Sequence, residues 1–261
     1  MDFITDPFFY VVAIPAVLIA GVSKSGFGGG LGVVAVPLMA LAVSPQVAAA
    51  VMLPILCLMD IANVWAYRTR WDRRNMMILV PAALAGILVG VLTFSYLSVA
   101  AVKLIIALIA IIFTLDHWLR GKKAGDTPKP AAVGKGTVLG GLAGFTSFVA
   151  HAGGPPVSVF LLPQRMDKSI FVGTTVMFFI VVNYVKLIPY WFLGQFSAAN
   201  LGTAAVLIPV AIFGTWLGLW AHDKVNVTWF YRVCYTLLFV TGVKLLWDAV
   251  ALFAAGQSTA L

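Results

Sequence analysis

The sequence predicts an all-α polytopic membrane protein built from two inverted repeats, each a broken or re-entrant first helix followed by three transmembrane helices. Three observations carry this. Hydrophobic residues fill 62% of the 261 positions, charged residues only 10%, there is no Glu, and mean hydropathy is +1.02. Apolar stretches of about 20 residues, the length needed to cross a bilayer, recur along the whole chain. The same order of breaks, prolines and glycines then occurs twice.

The first repeat takes residues 1–119. An apolar stretch from Phe8 to Val22 meets the cluster Gly21-Val22-Ser23-Lys24-Ser25-Gly26-Phe27-Gly28-Gly29-Gly30. Clustered glycine removes helical preference, so a break is expected there. Apolar sequence resumes from Leu31 to Val43, and Ser44-Pro45 is a turn that opens a helix running to Tyr67. Spans follow at 76–95 and 99–119. Residues 120–135 form a polar, basic linker rich in Gly and Pro. The second repeat, 136–261, begins with a stretch over 136–149 and a second break, Ala150-His151-Ala152-Gly153-Gly154-Pro155-Pro156. There, two prolines remove two backbone donors. A short apolar piece ends near Leu162, and spans lie at 168–192, 198–221 and 226–250.

The internal match is ordered. Pro81-x-Ala83-x-x-Gly86-x-x-x-Gly90 reappears as Pro209-x-Ala211-x-x-Gly214-x-x-x-Gly218, and Ala20-Gly21 reappears as Ala143-Gly144. The glycine pairs read as close helix packing. Basic residues set the orientation. The loop Arg68-Thr69-Arg70-Trp71-Asp72-Arg73-Arg74 and the linker, with Arg120, Lys122, Lys123, Lys129 and Lys135, read as cytoplasmic. The turn at Ser95–Ser98 between them has no Lys or Arg. In the second half Arg165, Lys168 and Lys224 read as cytoplasmic, while 194–200 has no basic residue. The halves are therefore opposed, with both termini outside. Each broken segment must contribute an even number of crossings, as a re-entrant hairpin or as two short spans. The N-terminus reads as a retained first segment. Trp65, Trp71, Trp118, Trp191, Trp229 and Trp247 fall near span ends, as an aromatic belt would.

Broken backbone at membrane depth survives only where protein or a water-filled cavity satisfies its polar groups. The two breaks are thus the place to look for chemistry. Lys24, beside Ser23 and Ser25, either faces a cavity or snorkels. Gly28, Gly29 and Gly30 would let backbone N–H groups approach an anion, and a helix starting after them would add its positive end. His151 is a ligand, a proton relay or a structural hydrogen-bonding residue, and Gly153, Gly154 and the Pro pair open a second helix start. Asp60 and Asn63 lie one turn apart, and the offset set by Ala20/Ala143 makes Asn183 and Lys186 their counterparts. The asparagines either bind substrate or bond across helices, and Lys186 is a site residue or a snorkelling one. Lys103, Lys244 and Asp248 read as anchors, and Asp116 and His117 as interfacial. Cys57 and Cys234 read as buried thiols. Lys24, Lys186, the glycines and His151 outweigh the single acid Asp60, which favours an anion over a cation. Neither a metal site nor a cofactor is expected, and nucleic acid is excluded because the basic residues sit in short loops.

Gly28-Gly29-Gly30 followed by Val36-Pro37-Leu38, with the later His151-x-Gly153-Gly154-Pro155-Pro156 and Leu161-Leu162, resembles the TauE/SafE sulfite exporter family over nearly the whole chain. The resemblance implies a multi-pass carrier of sulfite, sulfoacetate or a related small organosulfonate in the bacterial inner membrane, compatible with a homodimer. The residues then expected to bind are Lys24, Ser25, Gly28, Gly29, Gly30, Asn63, His151, Gly153, Gly154, Asn183 and Lys186, with His151 and Asp60 as proton-coupling candidates. Those assignments rest on the argument above and not on the resemblance. The rival readings are an integral-membrane enzyme, for which no nucleophile–base pair stands at recognisable spacing, and an assembly factor with no cavity.

Overall fold

The computed structural model describes residues 3–29, 32–93, 99–119, 128 and 130–254, and no strand occurs among them. The helices are α1 (Pro7–Phe27), α2 (Ala35–Met39), α3 (Pro45–Tyr67), α4 (Arg73–Thr93), α5 (Val99–Leu119), α6 (Val133–Ala150), α7 (Gly154–Leu161), α8 (Lys168–Phe192), α9 (Ala198–Lys224) and α10 (Val227–Ala254). Side-chain caps start several of them. Asp6, Ser44, Asp167 and Ser197 accept from the N–H groups of Phe8, Val47, Ser169 and Asn200. Ser44 and Asp167 stand at the same place in α3 and α8, so the expected turn into α3, with Pro45 first, is found and repeated.

The first break is shorter than the sequence suggests. α1 runs through Gly21 and Lys24 to Phe27. An isolated glycine costs a helix only about 1 kcal/mol, and at Gly21 packing opposes that cost: a methyl group there would come 2.8 Å from the Gly214 carbonyl carbon. The helix stops only where Gly28 and Gly29 turn left-handed, at φ 70° and 79°. The Gly29 N–H then closes on the Ser23 carbonyl at 2.8 Å. α6 ends the same way. His151 adopts φ 50°, and the Ala152 N–H reaches the Thr146 carbonyl at 3.1 Å. Each break therefore joins a long arm to a short one. Leu31–Val43 is not one resumed helix: a 3₁₀ turn over Gly32–Val34 leads into the five-residue α2. α6 begins at Val133, inside the expected linker. Residues 120–127 and 129, and the turn at 94–98, lie outside the described residues.

Both glycine motifs are packing seams. A methyl on Gly86 would collide with the Gly141 carbonyl oxygen, and one on Gly144 with that of Ala83. In the other seam, a methyl on Gly26 would sit 2.6 Å from the Gly218 carbonyl oxygen. The long arms cross between halves: α1 packs along α9, and α6 along α4. Both pairs are parallel. Ile4 donates to Thr203 at the start of α9 and His222 meets the Gly26 carbonyl near its end. Arg74 reaches the Ala131 carbonyl near the starts of α4 and α6, and Gly90 meets Phe148 near their ends. α3 and α8 pack together in the middle, and α5 packs on α10. At that pair, Lys103 and Lys244 both bind Asp248, which makes these expected anchors an ion-pair cluster between the two helices.

The burial pattern is that of a membrane protein. Lys24, Lys186, Asp60, Asn63 and Asn183 are buried, while Trp65, Trp191, Trp247, Phe192 and Leu92 are among the exposed side chains. Such an exterior suits hydrocarbon rather than water. Five helices among the described residues are long and apolar enough to cross a bilayer: Pro7–Phe27, Gln46–Tyr67, Arg73–Thr93, Lys168–Phe192 and Ala198–Lys224.

Candidate functional site

Residues of α1, α3, α6 and α8 and of the two breaks meet around a small, half-open pocket of about 40 Å³. Its wall includes Lys24, Gly29, Ser147, His151, Gly154 and Asn183, with Leu56 and Phe179 as apolar faces. In this measure one water needs roughly 10–15 Å³, so the space suits about three waters or a small oxyanion.

Lys24 is buried and ion-paired, so it does not snorkel. Its Nζ lies 2.7 Å from Asp60 Oδ1 and donates to the Leu56 carbonyl at 3.3 Å. These contacts leave one ammonium N–H uncommitted on a cavity-lining residue. The Phe179 ring stands 6.0 Å from the same nitrogen. Asp60 is held from its other side by Asn183, whose Nδ2 donates to Oδ2 at 2.7 Å. The two positions matched by the repeat offset of 123 residues thus touch each other directly.

Lys186 is fully buried, which removes snorkelling for it too. Its Nζ donates to the Ser147 carbonyl and to Ser147 Oγ, both at 3.0 Å, and meets His151 Nδ1 at 2.9 Å. That is one acceptor for each N–H of an ammonium. His151 Nε2 lies 3.1 Å from the Ala49 carbonyl, which can only accept, so Nε2 carries the ring proton and Nδ1 is the acceptor. Tyr190 donates to the Phe148 carbonyl at 3.0 Å, and its counterpart Tyr67 donates to the Ser25 carbonyl at 2.8 Å. These two matching bonds tie α8 to the end of α6 and α3 to the end of α1.

The structure gathers Lys24, Gly29, His151, Gly154 and Asn183 on one cavity wall. Asp60 and Lys186 stand directly behind that wall, through Lys24 and through Ser147 and His151. Other expected residues lie apart. Gly28 packs on the Phe171 ring, Gly153 on the Ala143 carbonyl, and Ser25 enters the α1–α9 seam at Gly218. Gly30 lies outside the described residues. Asn63 is buried with neither amide atom hydrogen-bonded, and so is the Ser25 hydroxyl. At the first break, the helical backbone that follows the glycines is the 3₁₀ turn over Gly32–Val34 and the five-residue α2. At the second, α7 does begin with Pro155-Pro156.

Sequence reading missed Ser147, Tyr190, Tyr67 and Phe179. The same 123-residue offset carries a signal for three of them: it pairs Ser147 with Lys24, and Tyr190 with Tyr67. Nothing in the local sequence marks Phe179. Cys57 is a free, buried thiol; the Cys234, Asp116 and His117 side chains lie outside the described residues.

The family model described as sulfite exporter TauE/SafE matches residues 13–245. The chain is also 29% identical over 180 residues to a probable sulfite/organosulfonate exporter TauE from Cupriavidus necator, an alignment that takes in 66% of this chain and 69% of that protein. No solved structure matches.

Proposed function

This chain belongs to the sulfite exporter TauE/SafE family of membrane transporters, and we propose that it exports sulfite, sulfoacetate or a related small organosulfonate across a bacterial inner membrane. The observation that carries the reading is the small pocket between the two breaks, where Lys24, His151 and Asn183 bring polar groups to an otherwise largely apolar wall. A carrier that recognised no small solute would have no use for buried ammonium groups so costly at membrane depth.

In this mechanism an anion enters beside Lys24 and competes with Asp60 for its ammonium. Asn183 turns its amide between Asp60 and the anion. The backbone around Gly29 and Gly154 allows close approach, since neither carries a side chain. His151 passes the positive field of Lys186 to the cavity wall, and His151 or Asp60 is the site of proton coupling. The two long-arm/short-arm elements would enter from opposite faces, as inverted repeats, because α1 runs parallel to α9 and α6 parallel to α4, while the end of α3 and the start of α4 lie beside the start of α8, which sets α4 and α9 antiparallel. Alternating access is then movement of one crossed seam, α1 on α9, against the other, α6 on α4.

The test is flux of labelled sulfite, sulfoacetate and methanesulfonate in proteoliposomes. Saturable flux above empty vesicles is expected for at least one of them. Flux equal to empty vesicles for every anion, in both directions, would overturn the proposal.

A further inference from the structure

The valence of the transported anion can be read from the charges around the cavity, on the premise that this cavity is the carrier site. Lys24 and Asp60 cancel, at 2.7 Å. In the second half the position equivalent to Asp60 is Asn183, an amide that donates to Asp60 instead of supplying a second carboxylate. Lys186 therefore has no acid of its own. Its partners are the Ser147 carbonyl, Ser147 Oγ and His151 Nδ1, and no carboxylate pairs with it among the described residues. His151 adds no charge: it donates from Nε2 to Ala49 and accepts at Nδ1 from Lys186, which is the neutral imidazole. Lys186, as an ammonium, then adds one positive charge with no carboxylate partner among the described residues, fully buried and one side chain behind the cavity wall.

We infer that the Asp60/Asn183 pair sets the valence of the substrate. A singly charged anion, such as hydrogensulfite or a simple alkanesulfonate, neutralises the site. A doubly charged one, such as sulfate or the sulfite dianion, leaves a net negative charge buried in low dielectric, where an unpaired charge is strongly disfavoured; sulfoacetate, doubly charged when ionised, thereby drops out of the substrates proposed above, and hydrogensulfite and singly charged sulfonates remain. Selection here works by charge balance, and rejection of the dianion is as much a part of it as attraction of the monoanion.

Methanesulfonate and sulfate test this cleanly, because both are tetrahedral at sulfur with the same number of non-hydrogen atoms and differ in charge. Calorimetric titration of the purified full chain in detergent should show methanesulfonate binding at least about tenfold more tightly than sulfate. Asp60→Asn raises the surplus charge by one unit and should move the preference to sulfate by a similar factor. The double variant Lys24→Gln/Asp60→Asn returns the surplus to one unit and should restore the methanesulfonate preference, at weaker affinity. Equal binding of the two anions by the wild-type chain, or an unchanged ratio in Asp60→Asn, overturns the valence assignment while leaving the carrier reading in place. A wild-type chain that binds neither of them, nor sulfite, overturns both. If Asp60→Asn does not yield a monodisperse protein, the wild-type ratio and the double variant decide the matter.

Discussion

His151 carries a conformation as well as an imidazole. At φ 50° it occupies the left-handed region, where its counterpart Gly28 uses a glycine. A side chain in that region costs about 1 kcal/mol or more, a cost that such positions carry most often where function needs the side chain. Replacement by glycine should therefore leave a folded protein, and replacement by alanine should be less stable than glycine by about 1 kcal/mol, the reverse of the ordinary order inside a helix. Thermal unfolding of the two variants in detergent checks the sign. Both should lose sulfite flux, because neither offers Lys186 an acceptor. Asn63 gives a second residue-scale test. Its amide is fully buried and unpartnered, so Asn63→Leu should raise stability by about 1–3 kcal/mol while lowering transport. Lys186→Gln removes the surplus charge and should abolish monoanion flux with little loss of fold, since a buried charge without a counter-ion is itself a cost to the folded state.

Helix seams decide where the elements sit. Gly86 and Gly144 face backbone carbonyl oxygens that a methyl group would strike, whereas nothing stands within 4 Å of a methyl on Gly134. Gly144→Val should then destabilise by about 3 kcal/mol or more and deplete the protein from membranes, because backbone in a seam cannot move aside as a flexible side chain can. Gly134→Ala should be neutral. Quantifying both by fluorescence-detected size exclusion separates a packing role from a general intolerance of substitution. The motifs that hold these seams were legible in sequence as small residues in order. Their partners were not, because a glycine says that something comes close without saying what.

Across the whole molecule, α1 lies on α9 and α6 on α4, so each half holds the other's broken element. The halves would not fold apart, and expression of 1–119 without the remainder should give no stable, monodisperse protein. Opposed orientation predicts that single cysteines at Trp71 and Gln195, in a chain with Cys57 and Cys234 replaced, are labelled from opposite faces of the membrane. Labelling from the same face would remove the inverted arrangement and the alternating-access scheme built on it. By itself the sequence determined the helical membrane class, the helix start at Ser44-Pro45 and the segments in which the two breaks fall, because these follow from local hydropathy, capping and backbone chemistry. Only the tertiary structure decided that α1 continues through Gly21 to Phe27, that Lys24 pairs with Asp60, and that Lys186 meets Ser147 and His151 instead of a carboxylate. Those outcomes depend on which distant helix supplies a close-packed glycine or a carboxylate, and the spacing of residues along one chain does not encode that choice locally.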